Sequence, residues 1–484
     1  MGRMPNGWMK GTLALLIACS ALPTAATAQT GMLSVADSAL IGLVLMAEDR
    51  RDSTLGAFAE ATQHADARVR LLTQRARERV RDPHFAARDS LPVVAAPVAW
   101  PEPTWRLRYR ALTARRDDCA AIRSALADSA WPVRLHAADL VSAACATDDS
   151  LARVLRRWVD ALPADASRRA RGTVSWHAAA HAMVALSRVR PAEARPRVRR
   201  LARHRQWHVR AYAARAAGVL SDTATLRTLA RDRNDNVKEV GIESLAKLTG
   251  HADDVVFLSA LGANGAQAVR AAAIALKGSP RPNVASAANA AFERWVARAN
   301  ASERDVRIAL LEAAGRPASD DRPPPVRVVL PPEAVALALG ADRRLRVTMA
   351  PSSGGGSFVV RLRGDVAPMM AARILALARR GYYDGLSWHR VEHDFVIQGG
   401  SPGANEYVGL AQYLRDELGT APHVRGTVGM STRGHDTGDA QWFINLKDNL
   451  RLNRDYTVFA EVIEGIDVVD GILEGDVMAR VAPL

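Results

Sequence analysis

The chain has 484 residues, of which 48% are hydrophobic, 24% charged and only 5% aromatic, and its formal net charge is +14 at pH 7. This length exceeds one ordinary domain, and the composition is that of a globular protein rich in alanine and leucine helices rather than a disordered chain. Residues 343–484 carry 16 basic and 17 acidic side chains, so the net positive charge lies in residues 1–342. A basic half indicates an acidic partner, an anionic membrane surface or nucleic acid, or simply a solvated arginine-rich helical face.

Residues 1–28 have the pattern of an export signal. A positively charged start is followed by a short apolar core and by the small-residue cleavage site Ala26-Thr27-Ala28. The apolar core is too short to span a bilayer. Leu16 to Cys19 also resembles the bacterial lipobox, so Cys19 is either removed with the signal or lipidated to attach the protein to a membrane. Both alternatives predict an exported protein, periplasmic or lipid-anchored at the cell envelope.

Cysteine and histidine are sparse and give little support for a metal. In an oxidising compartment Cys119 and Cys145 are expected to form a disulfide, the alternative being two small buried thiols. His177 and His181 lie four residues apart, as in helical zinc motifs, but Ala178 replaces the glutamate of those motifs and no third ligand is evident. No metal site is predicted.

Residues 32–315 contain a repeated helical pattern. A Val-Arg pair opens "WPVRLHAADL" (131–140), "WHVRAYAARAAGVL" (207–220) and "QAVRAAAIAL" (267–276), and apolar residues follow at helical spacing. These units resemble HEAT repeats, which stack because one repeat cannot bury its apolar face alone. The valine is expected to lie in the core, and the arginine is expected to pair with a carboxylate of the next repeat. The array as a whole is expected to bind an unidentified protein partner.

The pattern changes from helix to strand after a linker predicted at residues 316–340, which begins rich in proline and charge. The runs "RLRVTMA" (344–350) and "SFVVRLR" (357–363) alternate like strands on either side of a glycine-rich turn. An amphipathic helix is predicted at 367–381, and further strand-like runs follow. Residues 341–484 are therefore predicted to be a second domain that folds independently of the array.

Four segments of this second domain carry a family resemblance. They are "YYDGLSWHRVEHDFVIQGGSP", "RGTVGMS", "DTGDAQWFINL" and "LNRDYTVFAEVIEGIDVVDGI". In order and spacing they are similar to the cyclophilin family of peptidyl-prolyl cis–trans isomerases. The resemblance implies an antiparallel eight-stranded β-barrel capped by helices, which acts on the X–Pro bonds of polypeptides and needs no cofactor.

The resemblance also implies the site. Rotation about a peptide bond is slow because resonance stiffens it, and a cation near the prolyl nitrogen stabilises the deconjugated amide. By resemblance Arg390 is that cation, and Gln398 and Gln441 assist it. The substrate-binding residues implied are Phe395, Val396, Met430, Ser431, Thr432, Phe443, Leu452 and Tyr456. Val396 stands where methionine is commoner in the family, and Tyr456 where many relatives have histidine.

The whole sequence thus predicts an exported prolyl isomerase that acts on Pro-containing clients, preceded by a helical array that binds a partner. The alternative is a scaffold whose barrel binds Pro-containing peptides with little turnover. A nucleic-acid partner is not expected, because export separates the protein from most nucleic acid.

Overall fold

The structure is a computed structural model that describes residues 33–83, 97–162, 174–322 and 329–484. The predicted signal at residues 1–28, including Cys19, lies outside the described residues. So does part of the predicted linker. None of the helices in the described ranges combines the length and the apolar character that a bilayer crossing requires.

Helices fill the first two-thirds of the described chain. Their bounds are α1 Val35–Arg50, α2 Ala57–Thr62, α3 Ala67–Arg81, α4 Thr104–Ala114, α5 Cys119–Ala125, α6 Trp131–Leu140, α7 Asp149–Asp160, α8 His177–Val189, α9 Pro191–Leu201, α10 Trp207–Val219, α11 Thr223–Leu229, α12 Asp235–Thr249, α13 Asp254–Ala260, α14 Ala266–Leu276, α15 Val284–Val296 and α16 Arg304–Ala313. Short polar side chains begin several of them: Asp118, Asp148, Asp222 and Asn234 each accept a hydrogen bond from a backbone N–H in the first turn of the helix that follows.

The helices from α6 to α16 form two layers. In one layer α8, α10, α12, α14 and α16 pack in succession, and α9, α11, α13 and α15 lie against them in the other. The valines of the repeated Val-Arg pairs lie in the shared core: Val133, Val209, Val237, Val269 and Val306 are all buried. An N-terminal helical region is confirmed, with a continuous core from stacked helices, as the repeat pattern predicts.

The arginines of the Val-Arg pairs have different partners. Arg210 donates from Nε and Nη2 to the two carboxylate oxygens of Asp232, at 2.7 and 2.8 Å, as the repeat pattern predicts. Arg270 departs from that expectation, because its guanidinium lies 4.3 Å from the ring centre of Tyr407 in the C-terminal domain. The array therefore uses one repeated position to contact the barrel.

The C-terminal region is a closed β-barrel. After α17 (Ala334–Ala338) its elements are β1 Arg344–Met349, β2 Ser357–Leu362, α18 Pro368–Arg379, β3 Ser387–Val391, β4 Val396–Ser401, β5 Thr427–Met430, β6 Trp442–Asn445, β7 Val458–Glu464, α19 Ile466–Asp470 and β8 Asp476–Pro483. The strands pair antiparallel in the order β1-β2-β7-β5-β6-β4-β3-β8, and β8 returns to β1. The predicted eight-stranded antiparallel barrel is confirmed.

The hydrophobic cores divide the chain differently from the predicted domains. The array core runs from Leu112 to Ala313, whereas the apolar residues of α1, α2 and α3 belong to the same core as the barrel. Ala334 and Leu337 of α17, within the predicted linker 316–340, are also fully buried in the barrel core. Periodicity identifies an amphipathic helix but not the surface that covers its apolar face. Residues 33–83 pack on the barrel, although their sequence pattern matches that of the array.

Cys119 and Cys145 are joined by a disulfide, which links the start of α5 to the short 3₁₀ helix after α6. His177 and His181 lie where α8 meets the barrel. The Nε2 of His177 is 2.8 Å from the carbonyl oxygen of Glu474, and the Nδ1 of His181 is 2.7 Å from a carboxylate oxygen of Asp139. His177 therefore has its partner in the barrel domain, whereas the partner of His181 lies on α6 of the array.

Candidate functional site

The candidate site is a row of register-matched residues across four neighbouring strands. Arg390 on β3 lies opposite Gln398 on β4, Gln398 lies opposite Phe443 on β6, and Phe443 lies opposite Gly429 on β5. Directly opposed residues of antiparallel strands project from the same face of a sheet. The barrel therefore brings together residues that lie up to 53 positions apart in the chain.

This row lies on the outer face of the barrel. Side chains alternate between the two faces of a strand, and the neighbours Ile397, Trp442 and Ile444 are buried in the barrel core. Gln398 and Phe443 therefore point away from that core. Gln441, two residues before Phe443, projects on the same side and joins the row.

Arg390 is the exposed cation of the row, with 43% of its side chain accessible to solvent. Its Nε donates to Oε1 of Glu392 at 2.8 Å, and its Nη1 donates to Oε1 of Gln398 at 3.4 Å. The guanidinium is thus held at one edge by a carboxylate and at the other by a buried amide. Its remaining surface is open to a substrate.

Two glutamines continue from Arg390 into the barrel wall. Nε2 of Gln398 donates to Oε1 of Gln441 at 3.3 Å. Nε2 of Gln441 in turn donates to the carbonyl oxygens of Glu406 and Val408, at 3.1 and 3.2 Å. Both glutamine side chains are buried, so these hydrogen bonds fix their orientation.

An apolar cluster lies next to the cation. Val396, Phe443 and Leu452 are buried together, and Phe395 and Tyr456 pack against them with partial exposure. The rings of Phe443 and Tyr456 meet edge to face at 5.7 Å. This cluster is separate from the barrel core, and its members are the apolar residues that the resemblance assigns to the proline ring. The structure therefore brings five of the predicted substrate-binding residues together.

The remaining predicted binding residues are placed differently. Met430 is fully buried in the barrel core, because it follows Gly429 on β5 and so takes the opposite face. Its side chain therefore lies in the core, and the role predicted for Met430, in the segment that pairs with the substrate chain, stays a prediction. Ser431 and Thr432 follow the end of β5, and the backbone N–H of Ser431 donates to the carbonyl of Gln441 at 2.9 Å. These two residues adjoin the row through their backbone.

Three site residues were not predicted from the sequence. Glu392 binds Arg390, and Gly429 lies beneath the Phe443 ring, where a β-carbon would come within 2.3 Å of Cζ. His423 stacks on Phe443 with ring centres 5.6 Å apart, and its Nε2 lies 3.0 Å from the carbonyl oxygen of Tyr456. Burial lowers the pKa of His423 to about 4, so the ring is neutral at pH 7. A single buried histidine far along the chain gives no sequence signal of such a role.

Within the described ranges no group of three or more histidine, cysteine, aspartate or glutamate side chains could hold a metal ion. The chemistry that the site itself offers is electrostatic and steric. One cation with free donors lies beside an apolar cluster, and a rigid amide pair holds that cation in place. This arrangement suits a reaction that redistributes charge in a bound amide without covalent bond formation.

Comparisons with known proteins identify the family of the barrel. The family model for cyclophilin type peptidyl-prolyl cis-trans isomerases matches residues 346–484. A peptidyl-prolyl cis-trans isomerase of Helicobacter pylori is 35% identical over 130 residues, which cover 26% of this chain and 80% of the relative. Peptidyl-prolyl cis-trans isomerase B of Bacillus subtilis is 36% identical over 129 residues, covering 26% of this chain and 90% of the relative.

Among solved structures, a cyclophilin type peptidyl-prolyl cis-trans isomerase of Cryptosporidium parvum is 22% identical, with a TM-score of 0.27, and the match covers 30% of this chain and 98% of that one. The relatives match the barrel. This chain belongs to the cyclophilin-type peptidyl-prolyl cis-trans isomerases.

Proposed function

We propose that the cleft around Arg390 isomerises X–Pro bonds of exported polypeptides, and that the helical array binds a partner or a client beside it. The observation that carries the catalytic part is the position of Arg390, whose Nη1 donates to Gln398 at the edge of the apolar cluster. A half-exposed guanidinium beside an apolar cluster suits an X–Pro bond, whose amide nitrogen is part of the proline ring.

The proposed mechanism is preferential binding of the twisted amide. The proline ring packs against Phe443 and Leu452, which holds one side of the C–N bond. As the bond rotates, conjugation is lost and a lone pair develops on the prolyl nitrogen. Arg390 donates to that lone pair, and this lowers a barrier of about 18–20 kcal/mol. The planar amide lacks this lone pair, so the interaction favours the transition state.

Export is supported by the sequence and by the disulfide. The pattern of residues 1–28 is that of an export signal, and disulfides persist mainly in oxidising compartments. The bond between Cys119 and Cys145 fits such a compartment. Alkylation of free thiols in intact cells that express the full chain would test this: Cys119 and Cys145 are expected to be oxidised, and alkylation of both would contradict export.

A partner of the helical array is supported by charge. The net positive charge lies in residues 1–342, most of which form the array. An acidic polypeptide would be attracted to this charge. Such binding should weaken with added salt, because exposed charges are screened over about 8 Å at physiological ionic strength.

The catalytic proposal is tested by Arg390→Ala in the full chain. Isomerisation of a short Pro-containing peptide should fall at least tenfold, which corresponds to about 1.4 kcal/mol of barrier. Arg346→Ala is the matched control, since Arg346 is an exposed arginine on β1, across the barrel from β4 and β6. A folded Arg390→Ala protein with the activity of the control would refute the role of Arg390. An inactive wild-type protein that still binds the peptide would favour the scaffold alternative.

A further inference from the structure

The helical array contacts the barrel next to the candidate site. The contact is made by the segment that follows β4, residues 402–409, named the site loop. One side of the site loop accepts hydrogen bonds from Gln441, through the carbonyls of Glu406 and Val408. Its other side rests on the array: the Tyr407 ring lies under Arg270, and Val408 packs against the array core.

Asn236, in the first turn of α12, is the array residue that binds the site loop through hydrogen bonds. Its Nδ2 donates to the carbonyl oxygen of Gly403 at 3.0 Å. Its Oδ1 accepts from Nδ2 of Asn405 at 3.1 Å and from Nε2 of Gln267 on α14 at 2.8 Å. Asn234 caps α12 and so fixes the turn that carries Asn236. Both ends of the Asn236 amide are therefore committed.

The Asn405 side chain connects Asn236 to the backbone of the site loop. While its Nδ2 bonds to Asn236, its Oδ1 accepts from the backbone N–H groups of Tyr407 and Val408, at 2.8 and 3.1 Å. This closes a turn of the kind that asparagine side chains make with their own backbone. The turn helps to set the direction of the carbonyls of Glu406 and Val408, which are the acceptors for Gln441. Arg433 also donates to the first of these carbonyls and the Ser401 hydroxyl to the second.

The direction of those carbonyls decides the orientation of both glutamines. An amide group can be turned end for end, but only its NH₂ end can face two carbonyl oxygens without repulsion. The Nε2 of Gln441 therefore faces the site loop, and its Oε1 is left to accept a hydrogen bond from Gln398. Gln398 is fixed in the same sense, so that its Oε1, and not its NH₂, faces the Arg390 guanidinium.

We propose that Asn236 of the helical array is a positioning residue for the isomerase, acting on Arg390 through Asn405, Gln441 and Gln398. The inference rests on the proposed catalytic role of Arg390. It assigns to the array a part in catalysis on even the shortest peptide, in addition to any partner binding. The array completes a hydrogen-bond chain that starts on α14 and ends on the cation of the cleft.

The test is Asn236→Ala in the full chain, assayed on a short Pro-containing peptide. The value of kcat should fall at least fivefold while KM changes by less than twofold, because the ring-binding cluster is untouched and only the cation is less well held. Tyr212→Phe is the matched control. It also removes a hydrogen bond between the array and the barrel, from the Tyr212 hydroxyl to Glu474, but that bond lies outside the chain. Its activity should stay within twofold of wild type.

A double variant separates positioning from general destabilisation. Asn405→Ala should give the same loss as Asn236→Ala, and the two together should cost no more than either alone, because both break one chain. The side-chain NH₂ resonances of Gln441 should shift in both variants and not in Tyr212→Phe. Melting temperatures show whether each variant is folded. If Asn236→Ala is unfolded, Asn405→Ala tests the inference in its place.

Three results would overturn the inference: unchanged kcat in a folded Asn236→Ala protein, multiplicative losses in the double variant, or an equal loss in Tyr212→Phe. A failure of the catalytic role proposed for Arg390 can be distinguished from these results. In that case Arg390→Ala would be active, whatever the behaviour of Asn236→Ala.

Discussion

Arg79 on α3 donates from Nη1 to Oε1 of Glu48 on α1 at 2.6 Å, and from its other nitrogens to backbone carbonyls of the barrel domain. Nε donates to Leu418 at 2.6 Å, and Nη2 donates to Val366 and Glu417 at 2.7 and 2.9 Å. Only 2% of the Arg79 side chain is exposed. One guanidinium therefore joins the first helices of the described chain to two loops of the isomerase.

Arg79→Met should lower the free energy of unfolding by about 3–5 kcal/mol, because it leaves buried Glu48 without its closest cation and three carbonyls without their donor. Arg81→Met is the control, since Arg81 lies on the same helix but is 69% exposed and pairs with Glu78 on the helix surface. That variant should change stability by less than about 1 kcal/mol. Urea unfolding of the full chain measures both, and equal effects would contradict the role of Arg79.

The Phe443 ring depends on the absence of a side chain at Gly429. In Gly429→Ala the new β-carbon would come within 2.3 Å of Phe443 Cζ, so the ring must move out of the apolar cluster. The KM for a Pro-containing peptide should rise at least fivefold, with a stability loss of about 1–3 kcal/mol from overpacking. Gly471→Ala is the control, because its β-carbon would meet only ordinary contacts at 3.5 Å or more. An unchanged KM in folded Gly429→Ala would show that the ring does not bind substrate.

His423 should make the protein less stable in acid. Burial lowers its pKa in the folded protein to about 4, below the value of about 6.5 expected in the unfolded chain. The unfolded chain thus binds a proton more tightly, so the stability that His423 contributes is complete above pH 6.5 and is lost as pH falls towards 4. Through this effect, His423 contributes at most about 3 kcal/mol to the free energy of unfolding.

A comparison with His423→Gln isolates this effect from those of other groups. Burial also raises the pKa of Glu239, to about 8, and that shift acts in the opposite direction. The difference in unfolding free energy between wild type and His423→Gln, measured in urea from pH 7.5 to 4.5, should therefore shrink as pH falls. A difference that is constant over this range would show that His423 is not buried in its neutral form.

The sequence predicts much of the site because the cyclophilin-like segments carry it directly. Arg390, Gln398 and Phe443 are brought into one row by strand register, as the resemblance implies. Met430 is the exception: strand alternation turns its side chain into the barrel core, so only its neighbours remain near the cleft. Glu392 and Gly429 could have been identified by placing the strands in register, since each adjoins or faces a predicted site residue.

The relation between the two halves could not be predicted. The segment that forms α3 has the same Val-Arg opening as the array, yet Val69 is buried in the barrel core. Arg79 falls in an arginine-rich helix where any charged residue would be expected in solvent, and only the barrel loops explain its burial. Independent folding of the barrel is predicted from the composition of the linker. However, α17 lies within that linker and packs into the barrel core. Such contacts between distant segments leave no local pattern.

The shared core of the first and last described segments has a consequence for the order of events during synthesis. Helices α1 to α3 end at residue 81, and the barrel residues that cover them begin at residue 334. At roughly 5–20 residues per second, the ribosome needs on the order of 10–50 s to make the intervening chain. During that time the array can close its own core, whose buried residues all lie between Leu112 and Ala313. The apolar faces of α1 to α3 stay uncovered until then, because the isomerase domain that covers them is made only after the array.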